Sequence, residues 1–473
     1  MHYLAKYDVF FIFVLIFVIY NITTRLAING DTVPASILPF IIIAHQTVYF
    51  DPIFGQSGTA ELTYQYILTN GHYASIFPIV TPILVTPLYL LHSLFLAIFP
   101  GDLNYTSLLA KHTASLLATL AGVFVYLTSK KLFKFEIAVL TTFIFAFGTL
   151  TWSISAQALW QHGVSELLLA IALFCIVRNE IKQSAVNFIV LGVISGLFVF
   201  NRPPDGLLLI PVLYYVYLNR EHVYSYVGCA LLSGVPFLTY NVVTFSNIFG
   251  GYGENANSVI SGIGNPIELL IHFIGLLISP SRGIFIYSPI LIFGIIGFYM
   301  VYTSNERYTS NASQKKNISG FFNETIKNVF LIFIPVIIGT ILIYSAFSPW
   351  FGGWCFGPRF LTGFLPVLAI FTGYGIDRTI WSVVSRRNKQ LISLLVLILF
   401  IISIINQAIG AWAYPYTDWD KDVSDHKIWD WSDTQIVASI KAAERDFDMI
   451  LLLLCPSIPP PIGIVPLYIR QHR

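Results

Sequence analysis

Long, unbroken apolar runs decide what this chain can fold into. Leu391–Ala411 contains no Asp, Glu, Lys or Arg, and about 20 apolar residues are enough to cross a bilayer as a helix. A membrane barrel is built from short alternating segments, and these runs do not alternate. The rest of the chain agrees. Only 11% of its 473 residues are charged and 56% are hydrophobic, whereas soluble domains carry about 25% charged residues. Mean hydropathy is +0.73. Such a chain cannot cover a water-facing surface with charge, so it uses lipid as solvent. The expected fold is all-α, a polytopic transmembrane bundle.

Basic residues orient the bundle. The first apolar run, Val9–Ala27, follows Lys6 and has no small-residue cleavage site after it, so it reads as a retained helix with a cytoplasmic N-terminus. Residues 29–75 then form a first outer loop. Within it Ile37–Ala44, behind Pro34, is too short to span and reads as an interfacial helix. The segment 76–99 contains Pro78, Pro82 and Pro87. If it spans, Lys130, Lys131 and Lys134 fall outside; if it lies in the interface or re-enters, they fall inside. The second threading continues with spans near residues 105–128, 135–152, 163–177, 185–200, 207–218, 224–245, 285–302, 329–347, 361–380 and 391–411. Inner loops then collect Arg178, Lys182, Arg220, Arg307, Lys315, Lys316, Lys327, Arg378, Arg386, Arg387 and Lys389, the asymmetry the positive-inside rule requires. About eleven spans follow, with residues 1–411 as the membrane domain. Thr303–Lys327 reads as a polar inner loop, and 412–473, rich in Asp and Trp, as a small extracytoplasmic tail. Cys175 and Cys229 read as packing residues; Cys355 and Cys455 have no metal or disulfide spacing.

This threading gathers the unexplained polar residues on the outer face: Asp31, Asp51, His72, Lys111, His112, Trp160, His162, Glu166, Arg202, Asp205, Arg282 and Arg359. Ionisable groups at membrane depth are costly and usually functional. Lys111, Glu166 and Arg202 lie in or beside apolar runs, so each needs a partner or a ligand.

The ordered motifs carry a resemblance. They are Gly30-Asp31-Thr32, Gly71-His72-Tyr73-Ala74-Ser75-Ile76-Phe77-Pro78, Trp152 with Gln157–Gly163, Asn201-Arg202-Pro203, Ser279–Gly283 and Trp350–Arg359. From residue 1 to about 411 the chain resembles the GT-C superfamily of polytopic glycosyltransferases. Its local motifs resemble the glycosyltransferase family 39-like branch, relatives of protein O-mannosyltransferases and the bacterial aminoarabinose transferase. The resemblance implies an enzyme that takes a sugar from a polyprenyl-phosphate donor, with inversion, and gives it to an acceptor on the extracytoplasmic face. The acceptor class, whether protein, lipid or glycan, stays open. The resemblance also makes Asp31 the catalytic acid of the first loop, with Asp51 as a second candidate.

Residue chemistry fits those roles. A carboxylate accepts the proton of the attacking hydroxyl, and the leaving phosphate needs fixed donors. Arg202, Arg282 and Arg359 suit that task because a guanidinium pairs with phosphate at two points; Lys111 adds a point charge. His72, Trp160, His162, Glu166, Trp350 and Trp354 are the candidate substrate-binding residues. Plainer readings stand beside these. Asp31 can cap the interfacial helix, Asp51-Pro52 can start a turn, Arg202 can snorkel, and Arg282 can close a loop with Glu254. His45, His72 and His162 lack ligand spacing, so a divalent metal is not indicated. No nucleic-acid partner is expected; the partners are the bilayer and the lipid-linked donor. Two other functions remain open: a transporter or flippase for a lipid-linked sugar, and a glycan ligase using a polyprenyl diphosphate.

Overall fold

The computed structural model describes residues 4–23, 30–55, 64–96, 103–253, 263–303, 323–382, 385–414 and 418–454. Most of the polar loop Thr303–Lys327, Cys455 and the proline-rich end lie outside them. In chain order the helices are α1 Leu4–Asn21, α2 Val33–His45, α3 Asp51–Phe54, α4 Val80–Leu96, α5 Leu103–Leu132, α6 Phe135–Phe147, α7 Gln161–Ile181, α8 Ala185–Asn201, α9 Ile210–Leu218 and α10 Val223–Phe245. They continue with α11 Pro266–Ile278, α12 Ile284–Tyr287, α13 Ile292–Thr303, α14 Glu324–Ser345, α15 Leu365–Ser382, α16 Arg386–Trp412, α17 Asp418–Lys421, α18 Asp425–Ile428 and α19 Gln435–Leu454.

The chain is an integral membrane protein. Five described helical segments have the length and apolarity to cross a bilayer: 106–132, 220–245, 324–345, 359–380 and 386–412. Several of the other expected spans are shorter helices, because turns interrupt them. A π-turn at Thr151–Ser155 follows α6, and a 3₁₀ segment at Pro203–Leu209 precedes α9. The α10 and α16 surfaces expose Leu231, Leu232, Val235, Leu394, Leu395, Ile398 and Ile401. In water such rows would be unfavourable, but against lipid tails they are not.

Hydrophobicity cannot hold one apolar helix to another inside lipid, so close packing must. α8 carries Gly192 and Gly196 four residues apart. A Cβ on Gly196 would lie 2.2 Å from Ser233 Oγ, and one on Gly192 would lie 2.3 Å from the Tyr226 carbonyl oxygen of α10. Gly297 and Gly375 make the same close approach where α13 crosses α15.

The first loop is ordered by pairing of its own parts. α2 forms where the interfacial helix was expected and packs on α4. Strands β1 Tyr66–Thr69 and β2 His72–Ser75 form an antiparallel hairpin turned at Asn70-Gly71. Both turn residues have positive φ, 49° and 80°, the geometry a two-residue hairpin favours.

The residues after Ala411 do not stand apart from the bundle. Arg282 is wholly buried and its Nη2 lies 3.1 Å from Asp420 Oδ1. Tyr414 donates to the same carboxylate. Gln435 accepts from the Gly357 amide at 2.9 Å and from Tyr287 Oη at 2.8 Å, and donates to the Cys355 carbonyl at 2.8 Å. Burial pushes the Asp420 carboxyl above its ordinary range, and Arg282 opposes that shift. Removing one partner of a buried pair strands the other charge. We therefore expect Arg282→Met to cost about 3–5 kcal/mol, read as a lower melting temperature in detergent. Arg282→Met combined with Asp420→Leu should recover much of the loss. A single variant that melts with the parent would show that the clasp contributes little.

Candidate active site

Asp31 stands at the mouth of α2, where the first loop turns back over the bundle. Gly30 beside it has no room for a side chain: a Cβ there would lie 2.3 Å from Tyr64 Oη. That closeness lets Tyr64 donate to Asp31 Oδ1 at 2.6 Å. The other oxygen, Oδ2, faces Arg359 Nη1 at 2.6 Å. Arg359 reaches it from a tight turn in which Gly352, Gly353 and Gly357 all have positive φ, 83°, 67° and 64°, backbone that other residues rarely adopt. The guanidinium carbon also lies 4.6 Å from the Trp160 ring centroid, a cation–π contact.

Arg202 enters at the end of α8. Its neighbour Asn201 is pinned on both sides: Thr81 donates to it at 2.7 Å, and it donates to the Gln161 carbonyl at 2.9 Å and to Ser165 Oγ at 3.1 Å. Arg202 Nη1 pairs with buried Asp205 at 3.1 Å, and Tyr344 donates to Asp205 at 2.6 Å. Among the described residues the hydrogen bonds of the Arg202 side chain all leave from Nη1. Its other nitrogens remain available to a ligand.

These groups meet in one cavity of about 280 Å³, lined by Asp31, Tyr64, Trp160, His162, Arg202, Tyr252, Tyr344 and Arg359 among others. Two cations and an acid at a wall of aromatic rings suit an anionic headgroup carrying a sugar. Three buried polar atoms of lining residues have no hydrogen-bond partner among the described residues: Trp160 Nε1, His162 Nδ1 and Arg359 Nε. Buried polar atoms are nearly always satisfied, so these three are exceptions in the packing behind the cavity wall. Tyr252 donates to Gln161 at 3.1 Å. Burial raises its phenol to about 12, so it stays a donor at neutral pH.

The structure thus brings Asp31, Arg202, Arg359, Trp160 and His162 together, and leaves the other sequence candidates outside the cavity lining. Asp51 Oδ2 lies 2.6 Å from His72 Nδ1, and its Oδ1 accepts the Tyr73 amide at 2.7 Å. This acid–histidine pair closes the hairpin onto α3. Lys111 is buried and donates to the Thr23 carbonyl beyond the end of α1. Arg282 pairs with Asp420; Glu254, the partner expected from the sequence, lies outside the described residues. Glu166 is buried in α7 and accepts from Ser155 Oγ at 2.6 Å. Trp350 stacks on His272, with centroids 4.9 Å apart, and donates to Asp425 at 2.8 Å. Trp354 is exposed. Tyr64, Tyr252 and Tyr344 were not singled out in the sequence; aromatic residues are too frequent here for type alone to mark them. Among the described residues no group of three His, Cys, Asp or Glu side chains could hold a metal ion.

Residues 86–242 match the family described as dolichyl-phosphate-mannose-protein mannosyltransferase. That stretch holds Trp160, His162 and Arg202, and stops short of Asp31 and Arg359 at either end. Among solved structures the chain is similar to ArnT from Cupriavidus metallidurans bound to undecaprenyl phosphate. Identity is 14%, coverage 86% of this chain and 68% of that one, and the TM-score 0.45. It is also similar to the archaeal oligosaccharyltransferase AglB from Archaeoglobus fulgidus in complex with an inhibitory peptide and a dolichol-phosphate. There identity is 11%, coverage 86% of this chain and 56% of that one, and the TM-score again 0.45. No curated protein sequence matches the chain.

Asp51 gives the test of this division between site and scaffold. Asp51→Ala removes an acceptor from the Tyr73 amide, a loss of about 1–2 kcal/mol. Amide hydrogen exchange should quicken across residues 66–75 and stay unchanged in the 348–360 turn. Equal quickening in both would mean that Asp51 supports the cavity directly.

Proposed function

We propose that this chain is a membrane glycosyltransferase of GT-C type. It transfers one sugar from a polyprenyl-phosphate donor to an acceptor hydroxyl on the extracytoplasmic face, with inversion. The observation that carries this reading is the Asp31–Arg359 pair, 2.6 Å apart, at a cavity that Arg202 also lines. The match of residues 86–242 to a family named for a dolichyl-phosphate-linked sugar supports it.

In the pairing described, Arg359 holds the carboxylate oxygen that would serve as base. A donor phosphate competes for the same guanidinium, because a planar fork binds phosphate oxygens at two points. As Arg359 turns to the phosphate, Asp31 Oδ2 is released to take a proton, while Tyr64 keeps the carboxylate oriented through Oδ1. The acceptor oxygen attacks the anomeric carbon from the face opposite the phosphate and its proton passes to Asp31. The bond from the anomeric carbon to the phosphate oxygen breaks, and the polyprenyl phosphate leaves with that electron pair. Arg359 and Arg202 stabilise its charge where little water competes. The base is therefore armed by the presence of donor, which limits loss of sugar to stray nucleophiles.

The test uses purified protein with a set of radiolabelled polyprenyl-phosphate sugars and membrane extract as acceptor source. Asp31→Asn should lower turnover by about 10²–10⁴-fold with donor binding retained. Arg359→Lys should weaken donor binding as well, because a point charge replaces the fork. Donor bound by the parent with no turnover of any sugar would favour a transporter of the lipid-linked sugar. Equal turnover in parent and Asp31→Asn would remove Asp31 as the base.

A further inference from the structure

A second concavity lies where α18 and the turn after it meet α11. It is an open groove of about 560 Å³ lined by Ile271, Asp425, His426, Trp429, Asp430 and Trp431. Nothing in the proposed chemistry uses it. The Trp431 side chain is 66% exposed, and among the described residues neither the Trp429 nor the Trp431 ring stacks on another ring. Both carboxylates keep acceptor capacity. Asp425 is held by Trp350 through Oδ1 alone at 2.8 Å, with His272 3.7 Å from Oδ2. Asp430 takes the Ser432 amide at 2.8 Å and hydroxyl at 2.6 Å, both on Oδ1. Those bonds hold the Asp430 carboxyl below its usual range, so it stays an ionised acceptor.

We propose that this groove is a saccharide-binding subsite for the acceptor; the role as acceptor rests on the transferase reading above. An indole face packs against the C–H face of a pyranose, and fixed carboxylates accept from its hydroxyls. The groove offers both groups side by side. Its charge also separates a sugar from the obvious rival, an anionic membrane surface. Apart from Asp420, which buried Arg282 holds, residues 418–433 carry five Asp against two Lys, a net charge of −3 with His neutral, and this repels anionic headgroups. Its place favours the acceptor. Phe347, Ser348 and Pro349 line the Asp31 cavity, and the next residue, Trp350, holds Asp425 of the groove. One short turn therefore joins the two concavities.

The probes are soluble methyl glycosides of mannose, galactose, glucose and N-acetylglucosamine. Saturation-transfer NMR follows their binding to full-length protein in nanodiscs of zwitterionic lipid. At least one glycoside should give a saturable signal, and Trp431→Ala should weaken it about tenfold. Asp430→Asn should weaken it also. Both variants should keep the parent's affinity for a polyprenyl phosphate, since neither residue lines the Asp31 cavity. Loss of polyprenyl-phosphate binding in the parent itself would count against the transferase reading and leave the glycoside result standing. No saturable signal from any glycoside, or equal signals from parent and Trp431→Ala, would overturn the subsite.

Discussion

The structure turns on one ion pair. Asp31 comes from the first loop and Arg359 from the turn that opens α15, and their contact ties the two ends of the membrane domain around a single cavity. A buried or half-buried pair is a poor source of net stability, because desolvation offsets much of the Coulomb attraction. Its value lies in what it orders. Tyr64 fixes one oxygen of Asp31, Arg359 fixes the other, and Trp160 fixes Arg359 from its ring face. In the proposed mechanism an incoming donor phosphate meets an arginine that is already oriented and already lies against the acid it must release.

A second buried pair supports the first from behind. Arg282 and Asp420 join the segment after α16 to the loop before α12, and Gln435 extends that contact to the Gly357 amide and the Cys355 carbonyl. Those two backbone groups belong to the same glycine-rich turn that presents Arg359. Residues that looked like an outer cap therefore brace the turn that presents Arg359 to the cavity. The same segment carries the aromatic and acidic groove, so a ligand seated there would lie close to the Asp31 cavity.

Much of this was legible in the sequence, and what was not legible has a common cause. Apolar runs gave the helical membrane class, and the charge asymmetry placed Asp31, Trp160, His162, Arg202 and Arg359 on one face, where one cavity now gathers them. Residue type does not reveal which partner a charge has already taken. Arg282 read like the other two arginines, yet Asp420, more than a hundred residues later, consumes it. Asp51 read like a second acid of the first loop, but the Asn70-Gly71 hairpin brings His72 and the Tyr73 amide back to it. That dipeptide, set between apolar-rich segments, is a local hairpin signal. The short helices around 203–218 also followed from prolines that break a span without marking where the chain turns.

The most direct measurement is the structure of the protein in nanodiscs with a polyprenyl phosphate bound. The account predicts the phosphate within hydrogen-bonding distance of Arg359 and Arg202, with Asp31 Oδ2 released from Arg359 and still held by Tyr64 through Oδ1. A phosphate seated elsewhere, at Lys111 or beside Arg282, with Asp31 and Arg359 still paired, would contradict it.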